Sequence, residues 1–181
     1  MTTTQQTRGR VYVPITVAGL ERLVDGGSLG PGLAAFAVTD ELALWWADGT
    51  SEPLDPEELE YAATVQAAAT SLALLDPGGV AAGTEPARRV VLAAEVSGVG
   101  PPDEVAPGAV TVTEEMALSD VVSVHIDTAD AAGAVRAAVA ALADDAAPDS
   151  HVELVLGEMV DHELAWYAPH EAADLLARLL R

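Results

Sequence analysis

Cysteine, lysine and asparagine are absent from this 181-residue chain, and aromatic residues make up only 4% of it. Without cysteine there is no disulfide, no thiolate nucleophile and no thiolate metal ligand. Without lysine there is no P-loop lysine, no Schiff base and no attachment of pyridoxal phosphate. Positive charge is scarce as well: eight arginines face 29 acids, for a formal net charge of −21. Neutralising phosphates takes a basic patch, and Arg8, Arg10, Arg88 and Arg89 are too few, so nucleic acid is not an expected partner. The acids are spread along the chain rather than massed in one stripe, which disfavours imitation of nucleic acid. High-GC codon usage accounts for the skew. No uninterrupted run of about 18 apolar residues occurs, so no membrane span is expected. Residues 1–10 are polar and carry no apolar signal region, so the expected compartment is the cytoplasm.

Half of the residues are apolar, which is ample for a core. Much of that half is alanine, so the core should rest on Leu and Val with a few aromatic anchors. The length suits one ordinary domain over residues 10–181 behind a disordered tail over 1–9. Four times a short apolar strand runs into a helix-starting signal and then a helix. Tyr12-Val13-Pro14 and Tyr167-Ala168-Pro169 echo each other, so the first and last units suggest an internal duplication.

Thr16 and Thr39 suit helix N-caps, and Gly26-Gly27 and Asp48-Gly49 suit helix stops. Asp55-Pro56-Glu57-Glu58 is the sharpest local signal: an acid at the N-cap, proline next and glutamate at the third position form a capping box. The helix it opens should run to about Leu75 and stop at Asp76-Pro77-Gly78-Gly79, with a linker over residues 78–87. Strands are expected over 10–16, 33–38, 89–96, 109–113 and 121–126, and a helix over 129–142. Val152–Leu156 and Glu163–Ala168 read as an antiparallel hairpin turning near Asp161-His162, with a final helix from Pro169. The expected fold is α/β or α+β: a layered sandwich with a mixed sheet of 5–7 strands and 4–5 helices.

The densest polar cluster is Glu158, Asp161, His162, Glu163, His170 and Glu171. His162 and His170 would lie at opposite ends of one strand, roughly 26 Å apart, so no shared metal is expected. No cofactor is expected either. His125 alternates with Val124 and Ile126, either as a satisfied buried histidine or on a pocket wall. Ser123 precedes it by two residues on the same face, at roughly 6–7 Å along the strand, a spacing that is more often decoration than a dyad. The glycine-rich run over residues 26–32 follows a helix and precedes a strand, the reverse of a phosphate loop. Trp45-Trp46 stands out in so aromatic-poor a chain. It forms either the two edges of one apolar face or, with Tyr61, the rim of a partner surface.

Arg10–Pro14, Glu57–Ala63 and His162–Pro169 together resemble an uncharacterised actinobacterial family, a domain of unknown function. The resemblance covers nearly the whole chain after the tail and implies no activity. Two functions are therefore weighed. One is a soluble, non-enzymatic binding or assembly protein, self-associating or docking a protein partner through Trp45, Trp46 and Tyr61. The other is a small-molecule-binding protein or enzyme with a pocket at the carboxyl ends of the strands. Its candidate residues are Tyr12, His125, Glu163, Tyr167, His170 and Glu171. A closed apolar pocket in which two of these groups converge would favour the second.

Overall fold

A computed structural model describes residues 8–47, 54–102 and 106–180. The expected stop at Asp48-Gly49, and the expected tail as far as residue 7, lie outside the described residues. Strand β1 (Gly9–Ile15) is rich in the β-branched and aromatic residues that fit a pleated surface, and it is buried from Val11 to Ile15. Thr16 then caps α1 (Val17–Gly26), its hydroxyl accepting from the Gly19 N–H at 3.2 Å. Gly27, at φ 77°, ends the helix in the left-handed region where glycine has no Cβ penalty. After β2 (Ser28–Leu29) and β3 (Leu33–Phe36), Thr39 caps α2 (Asp40–Trp46) in the same way.

Helix α3 (Pro56–Ala73) carries the expected capping box. Asp55 accepts from the Glu57 N–H, and Glu58 accepts from the Asp55 N–H, each at 2.9 Å. The expected linker after it is instead partly helical, as α4 (Pro77–Ala82). Asp76 accepts from the Gly78 and Gly79 N–H groups, so Asp-Pro-Gly-Gly starts one helix as it stops another. The chain continues through β4 (Val90–Val96), β5 (Val99–Gly100), β6 (Ala109–Val112), β7 (Met116–Ala117), β8 (Val121–Asp127) and α5 (Ala132–Ala143). It ends with α6 (Asp149–Glu158), β9 (Leu164–Tyr167) and α7 (Ala172–Leu179).

Helix α6 replaces the first arm of the expected hairpin. Pro148 and Asp149 open it, and Val152, Val155, Leu156 and Met159 recur at helical spacing. With Glu153 inside it, the 152–156 run fits either period, and the packing of Val155 with Val80 and Val135 in one cluster selects the helix. Only the second arm is a strand, and it pairs with β8.

Seven strands form one sheet in the order β5-β6-β3-β1-β4-β8-β9, while β2 and β7 pair separately. Helices cover both faces, the layered α/β arrangement expected, with seven α-helices among the described residues rather than four or five. Every described pairing is antiparallel, where alternating strands and helices had suggested a mixed sheet. On one face Val11, Val13, Leu92, Val124 and Ile126 meet Leu20 and Leu23 of α1 and Leu175 and Leu176 of α7. On the other, Tyr12, Phe36, Val91 and Ala93 meet Ala62, Ala63, Ala67 and Ala68 of α3. A third cluster joins Leu72 and Leu75 to Val135 and Val139 of α5 and Val155 of α6.

Two buried polar anchors fix these layers. The Ser71 hydroxyl of α3 donates to the Ile15 carbonyl and accepts from the Val90 N–H, both at 2.8 Å. Ile15 and Val90 are direct partners across β1 and β4, so one side chain pins the helix to both central strands. The Arg89 side chain donates to Asp127 at 2.7 Å and to the His162 carbonyl at 2.7 Å. That ion pair ties β4 and β8 to the segment leading into β9, with side-chain exposures of only 8% and 0%.

Asp127→Ala leaves a buried guanidinium unpaired and should lower stability by about 3–5 kcal/mol. Ser71→Ala strands one N–H and one carbonyl and should lower it by about 1–3 kcal/mol. Urea unfolding checks both, and wild-type midpoints would show that these contacts do not anchor the layers.

Candidate functional site

The site follows from strand alternation. On the face toward α3, Tyr12 lies opposite Ala93 and Ala93 opposite Ser123. One step along, Val91 lies opposite His125 and His125 opposite Trp166 of the edge strand β9. Side chains at alternate positions share a face, so these rows form one floor, with only the Ala93 methyl between Tyr12 and Ser123. A bulge sets Ala93 opposite Ser123 but Ala94 opposite Val121, which leaves Val122 unpaired. Val122 thereby joins Ser123 at the floor's edge.

Helix α3 forms the roof with Tyr61, Thr64, Val65, Ala68, Ala69 and Leu72, spaced three and four apart. Leu142 of α5, Leu156 of α6 and Met159 supply a side wall. The space between floor and roof is an open pocket of about 810 Å³, within the range of roughly 300–1,000 Å³ common to ligand sites. Tyr61 and Trp166 stand on the rim, 50% and 61% exposed. A smaller cavity of about 430 Å³ shares Arg10 and Glu60 with it.

Polar side chains enter the lining from the floor, the roof and the segment before β9, and several of them are paired. Ser123 Oγ and His125 Nε2 lie 2.9 Å apart, and Ser123 is only 4% exposed. Two side chains on one face of the strand lean together and bridge the spacing of roughly 6–7 Å expected between their positions along it. Burial lowers the pKa of His125 and favours the neutral imidazole. No hydrogen bond to His125 Nδ1 is present among the described residues, so the pair lacks a third member.

The Tyr12 hydroxyl donates to Glu60 at 2.9 Å. Burial, reinforced by that carboxylate, raises the phenol's pKa and keeps it protonated. Arg10 Nη2 donates to Glu95 at 2.9 Å, while Arg10 Nε is buried with no hydrogen-bond partner among the described residues.

Tyr12, His125 and Glu163 thus line one cavity. Tyr167, Glu171 and His170 lie elsewhere. Tyr167 packs against the core of the opposite face, as its one-residue offset from Trp166 requires. Glu171 accepts from the Ala168 N–H at 2.8 Å and closes a short turn, and His170 is exposed beside it. Trp46 packs between Trp45 and Tyr61, with ring centroids 5.9 and 6.1 Å away. Tyr61 therefore connects the tryptophans to the cavity rim.

The cavity lies over the sheet's face, not at the strands' carboxyl ends. The carboxyl-end rule needs parallel strands, and an antiparallel sheet has no common carboxyl end. Sequence reasoning missed Arg10, Ser123 and Trp166 as members of the site. Alternation in 121–126 pointed to Ser123, but nothing local indicated which strands would be neighbours.

Residues 9–176 match the model of a family of unknown function, DUF6912, and the chain belongs to that family. This is the membership suggested by the motifs at 10–14, 57–63 and 162–169. No curated protein and no solved structure matches the chain. Among the described residues no helix is long and apolar enough to cross a membrane.

The depressed pKa of His125 has a definite sign. The unfolded chain takes up a proton near pH ~6.5 while the folded chain still resists it, so stability falls as pH drops through that value toward the folded pKa. His125→Gln should flatten this part of the pH–stability curve, measured by urea unfolding from pH ~7.5 to ~5. An unchanged slope would mean that His125 is not desolvated.

Proposed function

We propose that this protein binds a small, largely apolar molecule in the cavity between α3 and the sheet. The observation that carries the reading is the unfilled volume of about 810 Å³ beneath a helix that sits on the sheet through alanines. Ala68, Ala69 and Ala93 are too short to occupy it. Tyr12, Ser123 and His125 share the floor, Glu163 and Thr64 add polar groups to the walls, and most of the remaining lining, from Val65 to Leu72 with Leu142, Leu156 and Met159, is apolar. Mainly apolar linings with a few placed polar groups are the usual make-up of ligand pockets. The Ser123–His125 pair, without an orienting partner, supports a role in positioning a ligand more than in hydrolysis.

The test is saturable fluorescence enhancement of the neutral dye 1-N-phenylnaphthylamine. Wild-type protein should bind it, and Ala69→Phe or Ala93→Leu should weaken binding by about tenfold or more with the circular dichroism spectrum unchanged. Wild-type protein without saturable binding would overturn the reading.

A second reading, a cytoplasmic assembly protein, is supported by Leu44 and Trp45, which are 79% and 49% exposed on α2. Sedimentation equilibrium should then show an oligomer that Trp45→Ala dissociates. A wild-type monomer at high concentration would remove the self-association part.

A further inference from the structure

We propose that the cavity takes a cationic amphiphile, with an apolar body beneath α3 and an ammonium group at the rim beside Glu163 and Trp166. The inference rests on the binding reading above and adds the charge of the occupant. Four charged side chains enter the lining: Arg10, Glu60, Arg89 and Glu163. Each arginine already has a carboxylate of its own. Arg89 is paired with Asp127 and also donates to the His162 carbonyl. Arg10 is paired with Glu95, its direct partner across β1 and β4. Glu60 accepts from the neutral Tyr12 hydroxyl. Neither Glu60 nor Glu163 is in an ion pair among the described residues. The lining and the partners of its arginines thus hold two positive and four negative charges.

The imidazoles do not offset this excess. Burial favours the neutral form of His125, whose Nε2 is engaged with Ser123. His162 adds a second imidazole to the lining, and at pH ~8 an imidazole of ordinary pKa, ~6.5, carries no charge. His125 Nδ1, Ser123, Tyr12 and Thr64 can meet an uncharged polar substituent, but they give an anion no countercharge. A carboxylate entering the cavity therefore loses hydration, faces Glu60 and Glu163, and finds both arginines taken. An ammonium gains a partner instead.

The rim suits that head group. Glu163 immediately precedes the edge strand β9, and Trp166 lies within it. Both are exposed, the indole by 61%. An indole face attracts a cation within ~6 Å of its centroid. A charge held here stays close to water while an alkyl body lies along Ala68, Leu72 and Leu142.

The test loads the full chain with 1-N-phenylnaphthylamine at pH ~8 and displaces the dye with decylamine, 1-decanol or decanoate. About 0.15 M NaCl screens acids lying more than ~8 Å from the head group, so the overall negative charge does not decide the outcome. Decylamine should displace the dye at a concentration about threefold or more below 1-decanol, the size expected of one exposed ion pair. It should act about tenfold or more below decanoate, which both glutamates repel. Glu163→Gln should remove most of the advantage over 1-decanol while dye affinity stays the same. Glu153→Gln, exposed on α6 and outside the lining, should leave the advantage intact. 1-Decanol or decanoate competing as well as decylamine would overturn the proposal and leave the dye-binding cavity standing. So would Glu163→Gln keeping the full advantage, or Glu153→Gln lowering it as much. Failure of the wild-type protein to bind the dye would remove the cavity reading and this inference together.

Discussion

One hydroxyl sets the distance between the two layers that enclose the cavity. Ser71 Oγ bonds the Ile15 carbonyl and the Val90 N–H at once, so α3 cannot slide along β1 without breaking a bond to β4. Eleven residues earlier, Glu60 accepts from Tyr12, roughly 16 Å up the helix at 1.5 Å per residue. The helix is thus held near both ends. Between these points one row of alanines lies on the sheet, and the neighbouring row, from Tyr61 to Leu72, overhangs open space. The Arg89–Asp127 pair plays the matching role on the far side, where it fixes the segment that carries Glu163 and Trp166.

The composition and the cavity share a cause. A chain that builds its helices from alanine packs backbones close together but has little side-chain volume with which to fill the gaps between layers. Where leucine and valine interdigitate, between the sheet and α1 and α7, the core is closed. On the α3 side the floor residue between Tyr12 and Ser123 is Ala93, and the volume remains. Aromatic residues are few, and two of them, Tyr61 and Trp166, stand exposed at the rim instead of filling the interior.

Local chemistry was the legible part of the sequence. Thr16, Thr39 and Asp55 cap helices as their side chains dictate, because a cap depends on residues within one turn of it. Strands β1, β4 and β8 were legible from their β-branched runs. Asp76 and the 152–156 run were ambiguous locally, and tertiary packing decided them: Val80, Val135 and Val155 share one cluster that needs α4, α5 and α6 together. The site was half legible. Tyr12, His125 and Glu163 were candidates by residue type, whereas Tyr167, His170 and Glu171 shared their chemistry but lie outside the cavity. Which strands become neighbours is a long-range property, and with it went Arg10, the bonded Ser123–His125 pair and the position of the pocket.

Family membership leaves the function to be argued from the site, because the family itself has none assigned. The central claim is physical: the space between α3 and the sheet is a real, apolar and accessible void. Crystals of the protein pressurised with xenon test it most directly, since xenon enters apolar cavities without needing any particular polar partner. The account predicts xenon density between α3 and the floor, near Ala68, Leu72 and Ala93, with the Ser71 bonds intact. A crystal in which Trp166 or Leu142 has folded inward to fill that space, with no xenon beneath α3, would contradict it.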